Sequence, residues 1–232
     1  MKPSLSIVTT AYNEEGDLET SVKTVLDCLD NRFSSSEILI INDGSRDSTG
    51  TIADQLAAKH PEIRVIHHPQ NQGLGHTLRE GYALAAKDYV IWVAGDNGCV
   101  GESLIDLFGY VGKADMVIPY MVNPEVRDFF RRNLSRLFTL FINFLFGLNL
   151  RYYNGSVIYR TELVRSLPTF SQGFFLMAET VIRLLKKGHS YIEVPAYQRA
   201  RTHGSSKALY PRNVLSVLGS IWKLFWEIRL NR

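Results

Sequence analysis

Three short polar clusters in the first hundred residues carry side chains that can accept hydrogen bonds and bind a cation. Tyr12-Asn13-Glu14, Asn42-Asp43-Gly44-Ser45 and Gly95-Asp96-Asn97 each follow an apolar run. Carboxylates in such positions accept hydrogen bonds from a base and a ribose. They also hold a divalent cation against a diphosphate, because Mg²⁺ prefers one or two carboxylates plus phosphate oxygens. The clusters therefore predict a site for a nucleoside diphosphate group and a cation.

Helix capping is the alternative role for these acidic residues, since Asp favours the position that precedes a helix. We favour capping for Asp47, which lies where a helical pattern begins. For Asp43 and Asp96, which follow strand patterns directly, we favour ligand binding.

The elements that must position the clusters alternate between strand and helix patterns. Continuous apolar or β-branched runs predict strands at residues 5–10, 37–41, 64–67 and 89–94. Apolar residues at helical spacing predict helices at residues 18–29, 47–58 and 74–86. This alternation indicates an α/β fold with a mostly parallel sheet covered on both faces. In such a sheet the ligand crevice lies beyond the carboxyl ends of the strands, where the clusters stand.

The second half of the chain has a different pattern. A strand at 116–119 precedes a basic and then aromatic stretch, whose longest apolar run, 137–150, is 14 residues and too short to cross a bilayer. A β-like segment at 190–194 and a helical pattern at 214–230, apolar along one face and carrying Trp222 and Trp226, complete the chain. Without a repeat or linker, one domain over residues 1–232 is expected.

The two halves carry opposite charge. Residues 1–120 hold 9 Lys and Arg against 17 Asp and Glu, whereas residues 121–232 hold 17 against 6. A basic half of this kind is suited to phosphate, acidic lipid or nucleic acid, although a role in solubility alone is the alternative.

Several classes of protein are disfavoured. Two cysteines cannot form a disulfide scaffold and no signal-peptide pattern is present, so a cytosolic protein is expected. The chain lacks a GxxxxGK[ST] loop, a GxSxG elbow and an HExxH motif, and Gly73-Leu74-Gly75 lacks the third glycine of GxGxxG. The histidines are scattered along the sequence and are expected to be core or surface residues rather than ligands.

The ordered motifs resemble the donor-binding half of glycosyltransferase family 2, inverting enzymes with a Rossmann-like GT-A fold. The resemblance rests on Ala11-Tyr12-Asn13-Glu14, IINDGSRDST, NQGLGHTLREG and the Asp96 turn. The later segments resemble the polyprenyl-phosphate branch of that family, through Arg131-xxx-Ser135, Gly173-Phe174, Glu179, Ile192-Glu193-Val194-Pro195 and Arg201-xx-Gly204-x-Ser206-Lys207.

The resemblance implies a role for each matching residue. Residues 1–120 would form the nucleotide-sugar-binding half, and residues 121–232 the acceptor and membrane-interface half. Asp96 would be the catalytic residue and would hold Mg²⁺ or Mn²⁺. The nucleotide-sugar would contact Ala11, Tyr12, Glu14, Asp43, Gly73 and Asp96. The acceptor would contact Arg131, Ser135, Arg201, Ser206 and Lys207.

The chain departs from the family pattern at three positions. The family has an Asp-x-Asp metal-binding motif where this chain has Ala94-Gly95-Asp96, so Asp96 matches its second aspartate and Ala94 replaces the first. This replacement removes one metal ligand and puts the need for a metal in question. Tyr120 stands where an arginine is usual after the fifth strand, and no acidic residue precedes Gly155. Acceptor recognition is therefore expected to differ from that of the mannose synthases.

The function implied is transfer of a hexose, with inversion, from a GDP- or UDP-sugar to a polyprenyl phosphate of the dolichyl or undecaprenyl type. The protein would bind the cytoplasmic membrane face peripherally, through the 137–150 stretch and the carboxyl-terminal helix, and no nucleic acid partner is expected.

A saccharide or another lipid is the alternative acceptor. A non-catalytic membrane-surface scaffold, suggested by Ala94, is a further alternative. A sugar-phosphate nucleotidyltransferase is disfavoured because TTAYNEE is acidic where that class needs a basic glycine-rich loop. The sugar and the oligomeric state remain open.

Overall fold

The computed structural model describes residues 2–200 and 211–230. Seven strands form one sheet, namely β1 Leu5–Ala11, β2 Ser36–Asn42, β3 Ile63–His67, β4 Tyr89–Ala94, β5 Met116–Met121, β6 Ile158–Arg160 and β7 Tyr191–Ala196. The helices of the described ranges are α1 Leu18–Leu29, α2 Thr49–Lys59, α3 Leu74–Leu84, α4 Gly101–Phe108, α5 Phe129–Phe146, α6 Thr161–Arg165, α7 Phe175–Lys186 and α8 Pro211–Leu230. A 3-10 turn, Pro124–Val126, lies between β5 and α5.

The strands run in the order β3-β2-β1-β4-β6-β5-β7. Strand β1 pairs in parallel with β2 and β4, and β2 pairs in parallel with β3. The short strand β6 runs antiparallel to both β4 and β5, and β7 is parallel to β5. The sheet is therefore mostly parallel, as the sequence predicts. Its antiparallel strand β6 has only three residues, which is too short for a strand pattern to be recognised in the sequence.

Both faces of the sheet are buried, which explains the continuous apolar runs of its strands. In β1, Ile7 packs in a cluster with residues of α1, α2 and α4, while Val8 packs on the other face with residues of α3 and α5–α8. Successive side chains of a strand point to opposite faces, so each central strand supplies both clusters.

The sequence prediction misses α4, α6 and α7 as well as β6. In α7 the residues from Phe175 to Leu184 are all buried, including the polar Glu179, Thr180 and Arg183. The 137–150 apolar run is the second part of α5, which begins at Phe129 and ends at the left-handed Gly147. The predicted 190–194 and 214–230 segments are found as β7 and α8 with shifted ends.

Helices α5 and α8 each have one buried and one exposed apolar face. Phe146 of α5 packs on Phe225 of α8 with 6.3 Å between ring centroids, which makes the helices neighbours. The exposed face of α5 consists of Phe129, Phe130, Leu134, Leu137, Leu140, Phe141 and Phe144, and that of α8 of Leu215, Leu218, Trp222, Trp226 and Leu230. Neither these nor the other described helices are long and apolar enough to cross a membrane.

Helix α3 packs closely on the sheet at Gly81. A Cβ atom at this position would lie 2.3 Å from Cγ1 of the buried Val8. Gly219 of α8 is also helical, but a Cβ atom there would meet no atom within 4 Å. Overpacking costs about 1–3 kcal/mol, whereas Ala gains about 1 kcal/mol over Gly in a helix.

We expect Gly81→Ala to lower the free energy of unfolding by up to about 2 kcal/mol, because the clash outweighs the helix gain. Gly219→Ala, the matched control, should raise it by up to about 1 kcal/mol. Urea unfolding of the two variants measures both. Equal stabilisation by both alanines would mean that α3 does not approach β1 this closely.

Candidate functional site

The three polar clusters lie together at one edge of the sheet. Ala11 of β1 is in register with Asn42 of β2, and Thr10 is in register with Ala94 of β4. The residues that follow these strands therefore emerge side by side at their carboxyl ends. This is the position at which open α/β sheets bind ligands.

The loop after β1 is fixed by the loop after β2. The backbone N–H of Asn13 donates to Ser45 Oγ at 3.0 Å, and Asn13 Oδ1 accepts from the backbone N–H of Arg46 at 2.9 Å. The backbone N–H of Glu14 donates to Thr49 Oγ1 at 2.8 Å. Asn13 has a φ of 56°, a left-handed conformation that Asn adopts more readily than most residues. Tyr12 and Glu14 therefore lie on a turn whose conformation is fixed by these hydrogen bonds.

Asp43 is buried and organises the loop that leads into α3. Its Oδ1 accepts from the backbone N–H of Gln72 at 2.8 Å, and its Oδ2 accepts from the backbone N–H of Gly73 at 2.9 Å and from Asn71 Nδ2 at 2.9 Å. The side chain of His68 also lies 2.7 Å from Oδ1. Asp43 therefore shapes the crevice by holding residues 71–73. Asp47, in contrast, accepts from the backbone N–H of Thr49, the first residue of α2, but it precedes the cap residue Ser48, so the prediction that Asp47 itself caps α2 is wrong by one position.

His68 connects Asp43 to α3. Its Nδ1 faces Asp43, and its Nε2 lies 2.6 Å from Glu80 Oε2. Burial lowers the pKa of His68, but the hydrogen bonds to Asp43 and Glu80 outweigh this, so that the net shift of the pKa is upward. His76 contacts His68 edge to face, with 5.6 Å between ring centroids. These two histidines are separated along the sequence, and the turn between β3 and α3 brings them together.

The turn after β4 carries Asp96. Asp96 Oδ1 accepts from the backbone N–H of Gly98 at 3.1 Å. The segment after β7 packs on this turn, where the Arg199 backbone N–H donates to the Gly98 carbonyl and Arg199 Nη1 donates to Asn97 Oδ1, both at 3.0 Å. The sequence does not predict that Arg199 lies near Asp96, because this proximity depends on the pairing of β7 with β5.

The donor set of the turn fits a hard cation in part. Asp96 offers a carboxylate at a strand end, and Mg²⁺ and Mn²⁺ bind such oxygens together with phosphate oxygens. Ala94 adds no ligand, and the side-chain oxygen of Asn97 is engaged by Arg199. Asp96 is therefore the residue of this turn that would hold a metal, with the diphosphate and water supplying the remaining ligands.

The loop between α6 and α7 closes one side of the crevice. A Cβ atom at Gly75 would lie 2.4 Å from the backbone of Gln172, so only glycine permits this approach of loop and helix. The loop is held by the fully buried Glu179, which accepts from the backbone N–H groups of Phe170 and Ser171. Arg183 bonds Glu179 at 2.8 Å and Glu227 of α8 at 2.7 Å.

The predicted acceptor residues are only partly described. Arg131 and Ser135 lie half-buried on α5, whose first turn is capped by Asp128. Arg201, Ser206 and Lys207 lie outside the described residues. Arg127, from the same basic stretch of the sequence, donates to the Tyr152 hydroxyl at 2.9 Å and to Gln198 Oε1 at 2.8 Å.

Tyr120, which stands where the family usually has an arginine, lies beside an arginine from another segment. The guanidinium of Arg151 lies 4.4 Å from the centre of the Tyr120 ring, near the end of β5.

Gly155, which lacks the preceding acidic residue of the family pattern, is required by packing. A Cβ atom there would lie 2.6 Å from Pro119 Cγ.

A family model confirms the sequence resemblance. The model described as "Glycosyl transferase family 2" matches residues 6–176, which include β1–β6 and all three polar clusters. The chain belongs to glycosyl transferase family 2. It is therefore a glycosyltransferase, and the motif-based assignment is confirmed.

Curated relatives match over most of the chain. The chain is 28% identical to an undecaprenyl-phosphate mannosyltransferase of Micrococcus luteus over 217 residues, which cover 88% of this chain and 86% of the relative. It is also 28% identical to a polyprenol monophosphomannose synthase of Mycolicibacterium smegmatis, over 87% of this chain and 79% of the relative. The resemblance to the polyprenyl-phosphate branch is thereby confirmed.

Solved structures confirm the fold. Glucosyl-3-phosphoglycerate synthase of Mycobacterium tuberculosis, solved with Mn²⁺, UDP-glucose and phosphoglyceric acid, superimposes with a TM-score of 0.74 at 18% identity. The match covers 96% of this chain and 80% of that one. The glycosyltransferase therefore has the GT-A fold that its motifs imply.

We expect Asp43→Ala to weaken binding of a nucleoside diphosphate by roughly tenfold to a hundredfold, since loss of a buried hydrogen-bond partner costs about 1–3 kcal/mol. It should also lower the free energy of unfolding, because the N–H groups of Gln72 and Gly73 lose their acceptor. Calorimetry with GDP and UDP and urea unfolding measure the two effects. Asp54→Ala is the control, since that carboxylate is exposed and pairs with His67. Unchanged nucleotide affinity in Asp43→Ala would exclude a role for this loop in donor binding.

Proposed function

We propose that this glycosyltransferase transfers a hexose, with inversion, from a GDP- or UDP-sugar to a polyprenyl phosphate at the cytoplasmic face of a membrane. The proposed acceptor is inferred from the exposed apolar face of α5 and α8, which lies next to a basic segment. Two relatives whose names state a polyprenyl or undecaprenyl phosphate acceptor support it.

The donor would lie across the carboxyl ends of β1, β2 and β4. Ala11, Tyr12 and Glu14 would contact the nucleoside from the β1 loop, and Gly73, held by Asp43, would contact it from the loop before α3. Asp96 would face the diphosphate. The structural neighbour that was solved with UDP-glucose supports a nucleotide-sugar at this edge.

The proposed reaction forms one bond and breaks one. A phosphate oxygen of the acceptor attacks the anomeric carbon from the face opposite the diphosphate. The bond between that carbon and the diphosphate oxygen breaks, and the nucleoside diphosphate leaves with the electron pair. The acceptor is already an anion, so this chain needs no strong general base. A divalent cation bound at Asp96 would neutralise charge on the departing diphosphate, and solved neighbours hold Mn²⁺ or Mg²⁺.

Helix α5 is built to lie on a lipid surface. Phe144 is 86% exposed, and Phe129 and Phe130 are 73% and 67% exposed, in a helix whose opposite side is buried in the core. Exposed apolar patches of this size mark binding surfaces. Arg131, Arg132 and Arg136 in the same helix add attraction to anionic headgroups.

Helix α8 would extend this surface. Trp222 is 61% exposed and Trp226 is 44% exposed, and both lie on the side of α8 away from the buried Leu224. Tryptophan favours the boundary between headgroups and acyl chains, because its ring is apolar and its N–H is polar. A lipid acceptor bound here would present its phosphate to the crevice from the membrane plane.

We expect the protein to sediment with anionic vesicles at low salt and to be released in part by high salt. Salt screens the arginine attraction but leaves apolar insertion unchanged. Phe144→Glu should reduce vesicle binding at every salt concentration. The control is Thr51→Glu, an exposed site on α2 at the opposite face of the sheet. Sedimentation of Phe144→Glu equal to that of Thr51→Glu would contradict membrane binding through α5.

We expect Arg131→Ala to raise the polyprenyl phosphate concentration needed for half-maximal transfer, and to leave nucleoside diphosphate affinity unchanged. A charge-assisted hydrogen bond contributes about 1.5–3 kcal/mol, or roughly tenfold to a hundredfold. Arg136→Ala removes the same charge from an exposed position of the same helix and is the matched control. If both variants behave alike in transfer assays, Arg131 acts only through general membrane attraction.

A further inference from the structure

The side chains of His68, His76 and Glu80 form a cluster that the proposed transfer reaction does not use. One ligand atom from each of the three lies within 4.8 Å of the others. His76 and Glu80 are four residues apart in α3 and therefore project from the same side of that helix. His68 approaches them from the loop that follows β3.

We propose that His68, His76 and Glu80 bind a borderline divalent metal ion of the Zn²⁺ type, at a site separate from Asp96. Two imidazoles and one carboxylate match the preferences of Zn²⁺ and Co²⁺, whereas Mg²⁺ prefers oxygen ligands alone. The ion would bind His68 through Nε2, since Nδ1 faces Asp43.

The surroundings of His68 are those of a metal ligand. Metal-binding histidines commonly donate the N–H of their other ring nitrogen to a carboxylate, which fixes the ring and its tautomer. Asp43 supplies that carboxylate at 2.7 Å and is itself held by the backbone N–H groups of Gln72 and Gly73. His68 is 7% exposed in its side chain, so its Nε2 has a fixed direction toward α3.

The other two ligands are free to adjust their positions. His76 is exposed, and the side chain of Glu80 is 32% exposed. Zn²⁺ binds nitrogen and oxygen at about 2.0–2.2 Å in a tetrahedral arrangement, so two ligand atoms on one ion lie about 3.4 Å apart. The ligand atoms of this cluster lie within 4.8 Å of one another, so binding requires the side chains of His76 and Glu80 to move toward the ion.

The site would fasten the loop of residues 68–73 to α3, and Asp43 connects the same loop to the donor crevice. Metal binding is therefore expected to stabilise the loop and raise the melting temperature of the protein. The open coordination positions face solvent on the side of the exposed His76. The measurement of metal binding needs no sugar donor or acceptor, so its outcome is independent of the proposed transferase reaction.

The test is titration of the tag-free, chelator-treated protein with Zn²⁺ by calorimetry in excess Mg²⁺, and with Co²⁺ by visible absorption. The wild type should bind one equivalent of Zn²⁺ with a rise in melting temperature. His76→Ala and Glu80→Gln should each weaken binding at least tenfold and remove the Co²⁺ absorption bands. His60→Ala, which replaces a half-buried histidine beside Glu62, and Asp96→Ala should bind like the wild type.

Three results would overturn the proposal. The first is that the wild type fails to bind Zn²⁺ in excess Mg²⁺. The second is that His76→Ala binds Zn²⁺ as tightly as His60→Ala does. The third is that binding disappears in Asp96→Ala and persists in His76→Ala, which would place the ion at the turn after β4. Circular dichroism of each variant establishes that it is folded, and the exposed position of His76 makes its replacement compatible with the native structure.

Discussion

The parallel pairing of β1 with strands on both sides is the constraint on which the rest of the structure depends. Leu5 of β1 is in register with Ser36 of β2 and with Tyr89 of β4, so the three strands begin and end at nearly the same level. Parallel strands need crossover helices, which cover both faces of the sheet and leave only its edges and strand ends accessible. The loops at the carboxyl ends then converge, and that convergence brings the turns of Asp43 and Asp96 to one crevice.

Local sequence patterns predict the first half of the fold well, because each central strand is buried on both faces and each covering helix has one apolar side. They also locate Asp43 and Asp96, since both follow a strand directly. They cannot show that Asp43 is enclosed by the N–H groups of Gln72 and Gly73, or that Arg199 reaches Asn97, because these contacts join residues 29 and 102 positions apart. Helix α7 is also missed, and its residues from Phe175 to Leu184 are all buried in the structure.

The two halves of the molecule are coupled through buried charge. Glu179 holds the 170–172 loop against Gly75 at the start of α3, and Arg183 continues the network from Glu179 to Glu227 of α8. Removing one partner of such a pair leaves an uncompensated buried charge, so the network strongly favours a single arrangement of α7, α8 and the loop. The side of the crevice and the proposed lipid-facing helix are thus parts of one hydrogen-bonded unit. In the proposed reaction, a lipid phosphate that arrives at α5 and α8 would meet a donor site whose walls are already formed.

Product analysis with labelled GDP- and UDP-sugars distinguishes a polyprenyl phosphate acceptor from a soluble one. The protein is incubated with Mg²⁺ or Mn²⁺ and with one of three acceptors: a long-chain polyprenyl phosphate, the corresponding alcohol, or a soluble phosphorylated acid such as phosphoglycerate. We expect one donor to deliver its sugar to the polyprenyl phosphate with inverted configuration. We expect no transfer to the alcohol and none with Asp96→Ala. Labelling of phosphoglycerate in place of the lipid phosphate, or no transfer from any donor by the folded protein, would contradict the proposed function.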